Sequence, residues 1–465
     1  MIEPLDRDGI VAEVAKANFG DRRLNERLAT LVRGLASDPA ASLPSVFTSA
    51  ELEGSYRFLN NVKVTPEQIL GPHLEATRRR CAEQRVVRIV HDVTEFSYRA
   101  GGKRKGLGEE LHQAFCGHFS LALATDESRR PLGLASLRTW VRGQNEEKEK
   151  SYWLTEIEAT EQSLQGQAQA IHICDRGADD YVFFMNLLNA GHRFVVRVHT
   201  NRYVEDAIDG VKAKLAAAVT SIEHVSEREA KINGRVERGS RAHRKLHPGR
   251  EPRAIKLYIG AAQLKLARPL DYGTKKKPHL ADVPMALPIN VVRVWEADAL
   301  PGIVPIEWIL FTSEPIDTPE QVCAIVDHYR ARWTIEEYFK ALKTGCAFGQ
   351  RQLEDYEALI NALAVFAPLA YQILLLRTVA RQTPEAPASS VVSNEQLDVL
   401  RALGRRPLPD NPSARDVLLC IAALGGHIKY APDPGWLTIA RGYEKLEAYL
   451  VGWLAAKLQQ PSDQR

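Results

Sequence analysis

The chain has 465 residues, 45% hydrophobic and 26% charged, with a formal charge of +3. That length allows roughly two to four domains and a substantial core, and no apolar run reads as the roughly 18 residues needed to span a bilayer. The six cysteines are scattered with no CxxC pair, which argues against a zinc ribbon or a disulfide framework and fits a reducing cytoplasm.

The opening residues, MIEPLDRDGIVAEVAKANFGD, hold acids and no apolar core of a signal peptide. Residues 1–75 read as a helical domain. Asp21 can cap a helix whose Leu24, Leu28, Leu31 and Leu35 recur at helical spacing. Arg22, Arg23 and Arg27 then fall on its other faces. A second helix, SAELEGSYRFLNN, carries Arg57, and Thr65-Pro66 opens a third. Such a bundle with arginines outward is a candidate DNA-binding head, although an ordinary solvated bundle would look the same.

From residue 85 the pattern becomes β. RVVRIVHDVTEFSY, GHFSLALATDE and PLGLASLRTWVRG are separated by turn signals, as in an antiparallel meander. A helix is expected over about 147–165, then the strand AIHICD (170–175), the helix DDYVFFMNLLNAG and the strand HRFVVRVHT. Three strands followed by helix–strand–helix–strand predict an α/β domain over 76–380 with a mixed five-stranded sheet. Residues 200–312 interrupt it as a β-rich insertion. Arg241 to Lys277 holds eleven Lys/Arg against Glu251 and Asp271, a net +9, so the rest of the +3 chain carries −6. A block this basic suits a polyanion. After 345 the chain is helical again, with a Pro/Ala/Ser linker, QTPEAPASS, leading into a C-terminal helical domain over 381–465.

YRARWTIEEYFKALKTG (329–345) reads as a helix with an unusual edge. With Tyr329 at zero, Arg332, Glu336 and Lys343 fall at about 300°, 340° and 320°. One stripe thus holds a phenol, a guanidinium, a carboxylate and an ammonium. Asp92 ends the run VVRIVHD and Asp175 ends AIHICD, and carboxylates ending buried strands sit where ligands gather in α/β folds. Three carboxylates held together need a neutralising cation, and oxygen-only ligands suit Mg²⁺ or Mn²⁺.

The spacing Tyr329-x2-Arg332-x3-Glu336-x6-Lys343 resembles the Y-R-E-K signature of bacterial insertion-sequence DDE transposases of the Tn-five type. Other segments resemble the same family in order: FGDRRLNERL and EGSYRFLNN its N-terminal DNA-binding domain, HDVTEFSY and CDRGAD its first two catalytic segments, WILFTSEP the strand before the signature helix, and GWLTIARG its C-terminal dimerisation region. The resemblance implies an RNase H-like core. It also implies a cut-and-paste transposase that works through a DNA hairpin, with Asp92, Asp175 and Glu336 as catalytic residues holding two Mg²⁺ (Mn²⁺ as substitute). Tyr329, Arg332 and Lys343 would contact phosphates near the cut, and Trp308 would receive a flipped base. End recognition falls to the helices carrying Arg22, Arg23, Arg27 and Arg57, while Arg241, Arg244 and Lys245 of the insertion follow the backbone. The partners implied are transposon-end and target duplexes and a second protomer in the DNA complex. Neither membrane nor small-molecule substrate is expected, and the setting is the bacterial cytoplasm. A catalytically silent DNA-binding regulator and an RNase H-like repair nuclease are the alternative readings.

Overall fold

The computed structural model describes residues 9–98, 104–107, 113–143, 149–206, 210–232, 234, 237, 244, 249–275, 277–298, 303–428 and 433–459. The chain divides into two compact units, one formed by residues 1–170 with 333–465 and the other by 171–332.

The first unit opens with five helices: α1 (Gly9–Val14), α2 (Arg22–Ser37), α3 (Leu43–Val46), α4 (Ser49–Leu59) and α5 (Pro66–Ala82). Asp21 caps α2 by accepting the Arg23 N–H at 2.9 Å, and Leu24, Leu28, Leu31 and Leu35 are all buried. Thr65 and Gln68 form a capping box at the start of α5, with Pro66 in the first turn. Strands β1 (Val86–Tyr98), β2 (Gln113–Ala124) and β3 (Pro131–Trp140) follow as the expected antiparallel meander. Every residue of β2 is buried, so both its faces are covered. On one face His91 of β1 bonds Ser120, Ser120 bonds Ser136, and Ser136 bonds Thr160 of α6 (Glu149–Leu164).

Helix α11 (Tyr356–Gln382) is the interior helix of this unit. Its most apolar 18-residue window has a mean hydropathy of 2.0 and is 89% buried within the fold. An apolar run long enough to cross a membrane therefore does exist, correcting the sequence reading. Leu, Ala and Ile on all sides of α11 serve a helix packed all round by protein, where no polar face is needed. Helices α12 (Asn394–Leu403), α13 (Ala414–Leu424) and α14 (Trp436–Gln459) complete the unit.

In the second unit β4 (Gln169–Cys174) and β5 (Arg193–Val198) are parallel and joined through α7 (Tyr181–Asn189). Beyond β5 the order is β11 (Glu307–Thr312), β10 (Ala286–Glu296), β9 (Arg253–Ala267), β6 (Tyr203–Asp206) and β7 (Lys212–Lys214), with β8 (Ser226–Ile232) also on β9. A short helix, α8 (Leu215–Ala218), follows β7. The sheet is therefore larger than the five strands expected, because the insertion's strands extend it antiparallel from β5 through β11. Alternation along β11 sorts its side chains to two faces. Phe184 of α7 meets Phe311 at 5.4 Å on one face. Tyr329 of α9 (Pro319–Arg330) meets Trp308 at 5.4 Å on the other.

The single helix expected over 329–345 is broken. Helix α9 ends at Arg330, where the Ala331 N–H bonds both Asp327 and His328 carbonyls and Arg332 N–H reaches back only to Tyr329 O. Helix α10 starts at Trp333 and runs to Lys340, and residues 341–345 widen into a π turn closed by Cys346 N–H on Ala341 O at 2.8 Å. Tyr329, Arg332, Glu336 and Lys343 thus occupy a helix end, a turn, a helix first turn and a π turn rather than one stripe.

A buried ionic knot ties α1 to α5. Glu13 pairs with Arg80 at 2.8 Å and with the fully buried His73, whose Nε2 accepts the Leu134 N–H at 3.1 Å. Burial pushes the Glu13 carboxyl up, but the His73 ring N–H and the Arg80 guanidinium outweigh it and hold the group at about 2, from an ordinary 4.5. A depressed carboxylate contributes stability above its unfolded pKa and loses it as pH falls through the folded one. Glu13→Gln should therefore lower unfolding stability at pH 7 by ~3 kcal/mol. In urea melts the gap between variant and wild type should shrink as pH falls from about 4.5 towards 2.

Candidate functional site

Two groups of side chains stand out, one in each unit. In the first, Asp92 lies on β1 directly opposite Phe119 of β2, so the two share a face of the sheet. The Phe119 ring packs against Tyr338 and Phe339 of α10 at 5.6 and 5.4 Å. A Cβ at Gly117 would lie 2.8 Å from the Phe119 ring, so glycine there gives the ring its room. Helix α10 therefore rests on the Asp92 face. Glu336 is three residues before Phe339, on the same side of the helix one turn earlier, in the first turn where the helix dipole favours a carboxylate. Lys343 reaches the same neighbourhood from the π turn. Its Nζ donates to Glu95 O at 2.8 Å and lies 5.2 Å from the Phe96 ring centroid. Burial pulls the Lys343 ammonium pKa down, against the opposing pull of the Glu95 and Asp92 carboxylates. Sequence reasoning placed Asp92, Glu336 and Lys343 in the site, and this unit brings the three together.

In the second unit Asp175 follows β4 directly and its Oδ1 accepts the Gly177 N–H at 2.7 Å. Trp308 and Leu310 point to the same face of β11, and Leu310 pairs with Arg197 of β5. The Arg197 guanidinium accordingly lies 5.7 Å from the Trp308 ring centroid. Burial lowers the Arg197 pKa, and the neighbouring Arg176 and Arg332 guanidinium groups lower it further while the Tyr329 hydroxyl opposes them. Burial raises the Tyr329 pKa; Arg332 and Arg197 counter that, and the Asp175 carboxylate adds to it. Arg197, Tyr329 and the half-buried Trp308 indole thus gather on one face, within the field of Asp175, Arg176 and Arg332.

Sequence reasoning missed Arg197 and Arg176. The signal for Arg197 was legible: it is one of two arginines, with Arg193, in the otherwise buried run RFVVRV. The neighbouring acid Asp179 is a different case. It is buried, accepts the His199 and Thr200 N–H groups at 2.9 Å each, and pairs with Arg202. Asp179 is consumed by the fold, and Asp175 is the half-buried acid of CDRGAD.

The N-terminal arginines sit on the surface in local ion pairs: Arg22 with Glu26 at 2.7 Å, Arg57 with Glu53 at 2.5 Å and Arg23 with Asp21 at 3.4 Å. Arg27 is half-buried and Arg244 exposed, while Arg241 and Lys245 lie outside the described residues. Part of the insertion's positive charge is spent internally. Arg253 pairs with Glu296 at 2.8 Å and Lys277 with Asp271 at 2.6 Å.

Residues 7–64 match the family described as transposase DNA-binding, and residues 145–367 match the transposase DDE domain. The second match contains Asp175, Trp308, Tyr329, Arg332, Glu336 and Lys343, and Asp92 precedes it. The chain is a DDE-type transposase with a DNA-binding domain. Among solved structures, the cryo-EM piggyBac transposase synaptic complex with hairpin DNA is similar over 99% of this chain and 81% of that one, at 9% identity and a TM-score of 0.37. A similarity at that level fixes neither topology nor mechanism.

The different roles of the two aspartates are separable in solution. Asp179→Ala should cost ~3 kcal/mol in a denaturant melt, because it leaves Arg202 and two amides without their carboxylate. Asp175→Asn should change stability by less than about 1 kcal/mol.

Proposed function

We propose that this transposase excises its element by cut-and-paste, through a hairpin on the transposon end, and joins the freed 3′ ends to target DNA. The observation that carries the reading is α10 seated on the Asp92 face with Glu336 one turn from its contact, and Lys343 within the field of Asp92. In this reading the RNase H-like core spans 76–380, residues 1–75 read the ends, and 381–465 form the contact of a homodimer assembled on DNA in the bacterial cytoplasm.

Asp92, Asp175 and Glu336 are the catalytic carboxylates. Asp92 and Asp175 are half-buried and each fixed by a backbone N–H, at 2.9 and 2.7 Å, and Glu336 is half-buried in a helix first turn. This oxygen-donor set fits two Mg²⁺ or Mn²⁺ ions, which when bound supply Lewis-acid activation at phosphorus. The chain's other groups position the DNA. Arg332 and Arg197 grip phosphate oxygens, Arg bidentately. Lys343 holds a phosphate beside Asp92 as a point charge, and the Tyr329 hydroxyl donates to the same backbone. Trp308 offers the indole on which a base leaving the stack comes to rest, relieving the tight hairpin turn.

The test is a denaturing gel of a DNA carrying the terminal repeat that flanks the gene, with purified protein and Mg²⁺ or Mn²⁺. Wild type should give a nick and then a hairpin. Glu336→Gln should lower both by roughly 10³-fold or more while still binding the end. Trp308→Ala should nick normally and accumulate the nick at the expense of the hairpin. Arg197→Ala should reduce the slope of log affinity against log salt by about 0.9. End binding by wild type without any cleavage under either metal would overturn the proposal in favour of a regulator.

A further inference from the structure

A cleft in the first unit belongs to neither group of site residues. It is lined from α10, α11, α14 and the turn joining β2 to β3, and it holds about 130 Å³. That is the scale of one end group rather than of a strand running through. Trp333 and Trp436 form apolar walls, and Arg129, Arg377 and Arg381 line the same space.

The cations here outnumber the acids that serve them. Glu337 of α10 pairs with both Arg377 and Lys340, and Asp433 pairs with both Arg381 and Arg415. Arg129 adds a fifth cation. The Arg377 guanidinium lies 4.1 Å from the Trp436 ring centroid, and its Nε is buried with no hydrogen-bond partner among the described residues. Burial lowers the Arg377 pKa, and the Arg381 guanidinium lowers it further while Glu337 opposes them. Arg129 has a φ of +49°, in the left-handed region, a strained conformation of the kind that folds keep mainly at functional positions. Thr334 and Thr378 bring hydroxyl groups to the lining. Guanidinium forks and hydroxyls between apolar walls are the chemistry of a phosphate site. Three guanidinium groups suit a phosphomonoester, with up to about two negative charges at neutral pH, better than a diester with a single one.

We propose that this cleft binds the 5′-phosphate of a DNA strand end. The proposal rests on the hairpin reading for where that end arises. Water that opens the hairpin attacks the bridging phosphodiester, and the bond from phosphorus to the 3′ oxygen breaks. That oxygen leaves with a proton as the 3′-hydroxyl to be joined, and the phosphate stays on the 5′ end of the complementary strand. Helix α10 carries both Glu336 and the cleft's Glu337, so the phosphate is held on the same helix as the carboxylate that helps to make it.

The test requires no cleavage. Full-length protein in EDTA is titrated with a blunt duplex ending in the terminal repeat, its 5′ end either phosphorylated or a free hydroxyl, and binding is followed by fluorescence anisotropy. Wild type should bind the phosphorylated end roughly tenfold more tightly. Arg381→Gln should bring the two ends within about twofold of each other. Arg129→Gly should do the same while melting no lower than wild type, since glycine takes the left-handed conformation without strain. A residue serving the fold alone would not separate those two readouts. Equal affinity of wild type for both ends overturns the proposal, as does a preference that survives in either variant. Loss of the wild-type preference to dAMP, at a concentration equal to that of the duplex, would assign the cleft to free nucleotides and overturn the strand-end assignment. Cleavage without end preference would remove the cleft and leave the hairpin reading standing, whereas end preference without cleavage would do the reverse.

Discussion

The seating of α10 on the β1–β2 face is the constraint on which the first unit's chemistry depends. One ring, Phe119, meets both Tyr338 and Phe339, and Tyr338 is pinned from behind by its hydroxyl on Ala367 O at 3.1 Å in α11. Helix α10 has only eight residues, too few to hold itself straight in water. Its conformation is a product of this packing, and so is the position of Glu336. Burying one aromatic ring is worth on the order of 2–3 kcal/mol, which is enough to fix a short helix whose end the π turn then widens. The irregular turn carries Lys343 to the Glu95 carbonyl; π turns are common where function, rather than stability, sets the backbone.

The second unit solves a different problem, that of holding like charges together. Burial lowers the Arg197 pKa, and the neighbouring Arg176 and Arg332 guanidinium groups lower it further while the Tyr329 hydroxyl opposes them, an arrangement that stability alone does not favour. A phosphate backbone would relieve it. By contrast Asp179, Glu296 and Glu314 each neutralise an arginine within the fold, and those pairs serve architecture. Arg253 and Lys277 of the basic insertion are likewise paired within the fold, with Glu296 and Asp271.

Much of this was legible before any coordinates. Leucine spacing and a cap gave α2, β-branched alternation gave the meander, and Asp175 stood out as the acid directly after a buried strand; Asp92, read as ending its run, instead lies in mid-strand, because pairing with β2 carries β1 on to Tyr98. The break between α9 and α10 was not legible, since no Gly or Pro marks it; it is made by backbone hydrogen bonds around Ala331 that no local propensity announces. The strands β6, β7 and β8 were missed because strands this short or charged, such as SEREAKI, lack an apolar period. The sheet exceeds the five strands expected for a different reason, since pairing of β11 to β5 is a long-range event that no local pattern announces. Helix α11 was underestimated because composition cannot distinguish a helix buried in protein from one buried in lipid.

The proposed function requires Asp92, Asp175 and Glu336 to act as one metal-holding set. Titration of the protein with Mn²⁺, followed by the loss of the free-ion EPR signal, tests it most directly. Mn²⁺ should bind saturably, competed by Mg²⁺, with binding weakened in each of Asp92→Asn, Asp175→Asn and Glu336→Gln and unchanged in Glu95→Gln. Binding that survives any one of the three substitutions undiminished would contradict it.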